Sequence, residues 1–297
     1  MARQSPVAIL SDIESNTRSG KALQVVLLMV SVTVAAICVL LPLWVILSSL
    51  EPPTEFFGSP PIVPSHLQWG KILNVWTKLD FGHLYLNTFL VLAGSLLLVL
   101  LFDGLFAYVL SKLRPRGATL MVTVLLWSMM LPNTLAIIAI YRNIVSFPFG
   151  GLGLNGVNLT NTFVPLWLMG CANAFVVIVF KSFFDSISDD YLEAARIDGA
   201  STVAIFTRII LPMSRPVFVT VAILITNSIW SDFFWQFLVL NTGNLHTVMV
   251  GLYAGSGSMP HDELLVALAI GMVPPVVLFA FFQRYILSGF TMTGLKG

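Results

Sequence analysis

The sequence predicts an all-α fold: a polytopic membrane protein with six transmembrane helices. Three observations carry that expectation. Of 297 residues, 57% are hydrophobic and 10% are charged, whereas a water-soluble chain of this size carries about a quarter charged residues. The mean hydropathy is +0.90, so lipid is the solvent that matches this surface. Apolar runs of about 20 residues, long enough to cross a bilayer as helix, recur six times along the chain.

The runs are Ala22–Ser48, Leu84–Leu110, Ala118–Arg142, Phe163–Phe183, Pro216–Leu240 and Leu264–Leu287. Residues 1–21 then form an N-terminal segment, 22–287 the membrane domain and 288–297 a C-terminal tail. Arg18 and Lys21 precede the first run as in a secretory signal. Its apolar core exceeds the about 7–15 residues of a signal peptide, and no small-residue cleavage site follows, so a retained helix is expected.

Lys and Arg set the expected orientation. One side collects Arg3, Arg18, Lys21, Lys112, Arg114, Arg116, Lys181, Arg196, Arg208, Arg215, Arg284 and Lys296. The other collects only Lys71, Lys78 and Arg142. Both termini are therefore expected in the cytoplasm. The opposite connections are rich in turn formers: Pro52, Pro53, Pro60, Pro61 and Pro64 within Glu51–Ser65, and four glycines within Gly150–Gly156. Cys38 and Cys171 lie inside apolar runs, where a thiol behaves as a small hydrophobe. The four histidines do not cluster at metal-ligand spacing.

The longest loop on the basic side is Asp185–Arg215. Asp190 and Glu193 have capping-box spacing, Gly199 stands where a left-handed helix end is expected, and Ser201 can cap a second helix through Ile210. Pro212 discourages further continuation. Two short helices joined by a glycine turn are predicted, each below the ~12–15 residues that hold a helix in water, so both need a surface to pack on. Ala194 and Ala195 remove bulk and would let a partner approach the backbone. The plain alternative is a helical loop resting on its own membrane domain.

The spacing Glu193-Ala194-Ala195, Gly199, then Ile209 and Leu211-Pro212 resembles the EAA loop of binding-protein-dependent ABC importers, and the stretch EAARIDGAS resembles their carbohydrate, MalG-like branch. The tail Gly289 to Gly297 resembles that family's glycine-ending tail, with Leu295 in place of valine. This resemblance implies a type I ABC importer transmembrane domain in a bacterial inner membrane. It implies a second related permease subunit, two ATPase subunits, a periplasmic or lipid-anchored solute-binding protein and an oligosaccharide substrate. Glu193, Ala194, Ala195, Asp198 and Gly199 would dock in a cleft of the ATPase, and Thr293, Lys296 and Gly297 would reach between the ATPases. ATP and Mg would belong to those partners, and this chain would bind no cofactor and no nucleic acid. Consistently, no GxxxxGK[ST] segment is present to cradle nucleotide phosphates.

Within the spans, Asp103 and Asp232 must face protein or water, since a mid-membrane carboxylate costs about 2.5–3.5 kcal/mol on insertion scales. Asp103 is expected to be structural. Trp230, Asp232, Trp235 and Gln236 offer stacking faces and polar groups to a sugar path, with Asp232 and Gln236 at i, i+4 on one helix face. An interfacial aromatic belt, or a structural pair for Asp232, accounts for the same residues. Arg142 could attract a uronate or simply snorkel. An importer for an amino acid, peptide or ion is the alternative to a sugar importer. A secondary transporter would need repeats and broken helices; Pro274-Pro275 could interrupt the sixth span, with no matching interruption in the opposite half of the chain. Intramembrane catalysis lacks a nucleophile–base pair or metal cluster.

Overall fold

The computed structural model describes residues 18–58, 66–148, 152–153 and 156–293, with backbone alone at 18–19, 133 and 284–293. Residues 1–17, Pro60, Pro61, Pro64, Gly150, Gly151, Lys296 and Gly297 lie outside the described residues, and Thr293 is described by its backbone only. Regular structure among the described residues is helical, apart from one antiparallel bridge between Phe147 and Val157. Three helices are long and apolar enough to cross a membrane unbroken: Gly20–Ser49, Phe81–Leu113 and His261–Gln283, the last continuing to Thr293. Three more pass only as bent pairs, giving up to six spans.

At each break the backbone leaves the helical conformation at one or two residues. The third span divides into Ala118–Met130 and Thr134–Val145, bent by 92°. Leu131 there is extended (ψ 130°), as expected for a residue whose helical conformation clashes with the ring of a following proline, here Pro132. The fourth divides into Val164–Gly170 and Ala174–Asp185, bent by 46°, with Cys171 extended and Ala172 left-handed at φ 57°. The third pair joins Thr202–Met213 to Arg215–Ser231 at 75°; beyond it the expected fifth span breaks at the extended Asp232 and resumes as Phe234–Val239. The apolar runs alone predict uninterrupted helices at all three places.

The sixth span reverses the expectation in the other direction. Pro274 and Pro275 lie inside a continuous helix, His261–Thr293. Each proline lacks the N–H that would bond the carbonyl four residues back, which frees Ile270 and Gly271. The Tyr85 hydroxyl donates to the Ile270 oxygen at 2.7 Å, and the Trp230 indole donates to the Gly271 oxygen at 3.2 Å. The carbonyls are satisfied from neighbouring helices, so the backbone need not unwind to find partners.

Two compact units are separable: residues 1–75 with 260–269, and residues 76–259 with 270–297. In the first, the apolar window of the first span is 0% buried, a surface suited to lipid and costly in water. At its end the Lys71 ammonium pairs with Asp262 at 2.7 Å and donates to the carbonyls of Ser49, at 3.0 Å, and Glu51. In the second unit the helix Phe81–Leu113 packs against the fourth span. Gly94 lets it approach closely, because a Cβ there would sit 2.3 Å from the Trp167 ring. One cluster of buried side chains joins Val99, Ala107 and Leu110 of this helix to Val177, Phe180 and Phe184 of the fourth span and Val217 and Val221 of the fifth.

Replacement of Trp230 by Phe should cost about 1 kcal/mol by removing one intramembrane hydrogen bond. In a Pro275→Ala background the cost should largely vanish, because alanine at that position restores a backbone donor for Gly271. Thermal unfolding of the four purified variants in detergent measures both effects.

Candidate functional site

The broken segments of the third, fourth and fifth spans meet at one open cavity of about 810 Å3. Irregular backbone at membrane depth is tolerated where it lines such a space. Ser128 and Met129 enter from the third span, Gly170 to Asn173 from the fourth, and Ser228, Asp232, Trp235 and Gln236 from the fifth. Ser95 adds a hydroxyl from the second. Asp232 is the only charged side chain among the lining residues.

The polar groups around the breaks are tied to backbone. Asp103, 1% exposed, accepts from the Ala172 N–H at 2.7 Å and the Asn173 N–H at 3.2 Å. Asn173 in turn caps the next helix, accepting from Val176 N–H. Asp232 accepts from Trp235 N–H at 3.3 Å. Buried Gln236 donates to the Ile229 carbonyl at 2.7 Å and accepts from the Thr247 hydroxyl.

The four aromatic and polar positions grouped by sequence therefore separate. Asp232, Trp235 and Gln236 line the cavity, although the break at Asp232 removes the single helix face expected for it and Gln236. Trp230 does not line it. Its indole is 5% exposed and faces Tyr85, Phe89 and Gly271 instead. Arg142 also stands apart from the cavity, with its guanidinium near Gly153.

The loop between the fourth and fifth spans forms a helix Asp190–Ile197, a glycine turn, and a second helix that begins at Thr202 and reaches Met213. Gly199 has φ 78°. The Ala200 N–H reaches the Ala195 carbonyl at 2.9 Å while Gly199 N–H reaches Arg196 at 3.0 Å, the paired bonds of a Schellman ending. Ser201 caps the second helix, accepting from Ala204 N–H at 3.2 Å. The expected capping box is absent: Asp189 is already helical, which moves Asp190 into the first turn, where its carboxylate accepts from the Ser188 hydroxyl. The two alanines also differ. Ala195 and Leu192 are buried in the cluster shared with the second and fourth spans, whereas Tyr191, Glu193, Ala194, Ile197 and Asp198 are exposed.

Sequence reasoning uses Lys112 only as a mark of orientation, and misses what it holds. Its side chain is 1% exposed. The ammonium donates at 2.6 Å both to the Ile187 carbonyl and to the Asp189 carboxylate, the residues leading into Asp190–Ile197. Beside it, Ser111 donates to Asp185 at 2.6 Å. The Lys112 hydrogen bond and charge hold the Asp189 carboxyl below the usual carboxylate range, with Arg114 and Arg196 acting in the same direction. The available signal is a lysine inside the sequence Leu110-Ser111-Lys112-Leu113, at an otherwise apolar helix end.

Fold and geometry thus describe an integral membrane bundle with a polar cavity at its helix breaks and a structured loop with one exposed face. Residues 4–291 match the family described as the binding-protein-dependent transport system inner membrane component. The chain belongs to that family. It is 31% identical over 257 residues to the diacetylchitobiose uptake system permease protein NgcG of Streptomyces coelicolor, covering 84% of this chain and 82% of that protein. With the trehalose/maltose transport system permease protein MalG of Thermococcus litoralis it shares 28% identity over 281 residues, covering 92% and 97%. Its fold matches a chain in the crystal structure of a bacterial ABC transporter that imports the acidic polysaccharide alginate. The TM-score there is 0.78 at 22% identity, covering 91% of this chain and 98% of that one.

A Cβ at Gly199 would meet nothing within 4 Å, so Gly199→Ala should cost only the left-handed backbone strain, about 1–2 kcal/mol. Amide exchange across residues 195–200 should rise about tenfold while membrane insertion is unchanged.

Proposed function

We infer that this chain is the permease subunit of an ATP-driven importer for a neutral oligosaccharide. The cavity carries the reading. It presents the exposed neutral polar residues Ser128, Asn173, Ser228 and Ser231, aromatic faces from Phe175 and Trp235, and a single carboxylate, with no Lys, Arg or His among its lining residues. Sugar hydroxyls bond to such groups and sugar faces stack on such rings. A uronate would meet the Asp232 carboxylate in a low-dielectric setting where like charges repel strongly. Relatives named for diacetylchitobiose and for trehalose and maltose support a sugar substrate.

The energy source lies on partners in this reading. Exposed Glu193, Ala194, Ile197 and Asp198 form the face that an ATPase subunit would grip, with ATP and Mg held by that subunit. Two ATPases, a second permease subunit and a solute-binding protein would complete the assembly, with both termini of this chain in the cytoplasm. Closure of the ATPases would then move the loop and switch the cavity between the two sides of the membrane. Thr293, Lys296 and Gly297 would reach the ATPases from the tail.

The test is uptake into proteoliposomes holding the complete transporter and its binding protein, supplied with neutral or uronate pentasaccharides. ATP-dependent uptake of a neutral pentasaccharide, without competition by the uronates, is expected. Uptake that persists when the ATPase subunits are omitted would remove the importer reading. Uptake of uronates would remove only the assignment to neutral sugar.

A further inference from the structure

The route from the exposed loop to the cavity is more defined than the importer reading requires. The helix Phe81–Leu113 runs for 33 residues without a break, α-helical to Tyr108 and π-helical over Val109–Leu113, beside three spans that are all interrupted. At one end it is joined to the entry of the loop by Lys112, whose two acceptors, Ile187 and Asp189, both lie there. Ser111 adds a second joint at Asp185. About one turn earlier, Tyr108 packs against Phe206 of the second loop helix with ring centroids 4.9 Å apart. Eight residues before Ser111, about two turns back along the helix, Asp103 holds the N–H groups of Ala172 and Asn173 at the break that lines the cavity.

Both joints are built from buried charge. The Lys112 side chain and Asp103 are each about 1% exposed. A buried charge stripped of its partners is strongly unfavourable, so neither joint can slip while the other moves. Residues 187–189, the helix and the Ala172–Asn173 backbone are therefore constrained to shift together. Along the chain, the helix Ala174–Asp185 joins the same two ends, so the second span with its two joints braces that helix from the side; the second loop helix meets the fifth span at 75°.

We propose that Lys112 is the positioning residue that transmits loop movement to the cavity, with the second span as the connecting rod and Asp103 as its far joint. This rests on the reading of Asp190–Ile197 as the face gripped by an ATPase. It assigns the transmission to a residue outside that face.

The test measures sugar imported per ATP hydrolysed by the complete transporter in proteoliposomes. Lys112→Met should lower that ratio about tenfold, in the range of ordinary coupling free energies, with assembly and basal hydrolysis within about twofold of wild type. Lys112→Arg, which keeps the charge, should recover most of the ratio. Asp189→Asn should show the same loss as Lys112→Met. The double variant should lose no more than either single one, as for two groups acting through one contact. A purely structural role would reduce assembled complex and leave the ratio unchanged. Glu193→Lys serves as the control for the underlying reading. A normal ratio in Lys112→Met beside an uncoupled Glu193→Lys overturns the proposal and spares the coupling reading. Normal ratios in both overturn the coupling reading itself. Should Lys112→Met fail to assemble, Asp189→Asn decides, since its carboxylate is 51% exposed and its loss strains the fold least.

Discussion

Backbone hydrogen bonding in lipid is the constraint on which the rest of this structure depends. Hydrocarbon offers no donor or acceptor, so every N–H and C=O released by a helix break must find a partner inside the protein. Asp103 takes two N–H groups at the break of the fourth span, and Asn173 takes that of Val176. Gln236 returns a donor to Ile229 beside the break of the fifth. Tyr85 and Trp230 supply the two donors that Pro274 and Pro275 withhold from the sixth. Polar side chains in these spans are thus largely committed to backbone.

That commitment shapes the cavity. With their backbone satisfied, the breaks of the fourth and fifth spans can line an open space without unfolding, and the space gathers short neutral polar groups between apolar walls. It also separates two roles that one aromatic-rich stretch suggested together. Trp230 closes a carbonyl in the sixth span, while Trp235, five residues on and past the turn at Asp232, faces the cavity.

The existence of the spans was legible because a bilayer selects for length and apolarity, which are properties of a contiguous run. The glycine turn was legible because Gly199 and Ser201 act on backbone within three residues of themselves. The breaks were not. Pro132 stands at a break and Pro274-Pro275 lie inside a continuous helix, where Tyr85 and Trp230, far away in sequence, bond the carbonyls those prolines leave free. The buried state of Ala195 and Lys112 was hidden for the same reason, since each is set by what the second and fourth spans place beside it. The capping box failed on a smaller scale: the helix began one residue early.

The exposed loop is best understood as the surface of the bundle rather than an appendage to it. Its helices are too short to persist alone in water. Leu192, Ala195, Ile205 and Ile210 supply the missing stability by joining the same buried cluster as Val99, Phe180 and Val221. One side of the loop is therefore continuous with the membrane core and the other is free, with Ile197 87% and Val203 72% exposed. A force applied to the free side enters a packed interior. Packed interiors shift between discrete arrangements and deform little in between. Ile225 and Ile229 carry that interior into the cavity wall, whose other apolar residues Val91, Leu166 and Trp235 form a second cluster that also packs on Ile229.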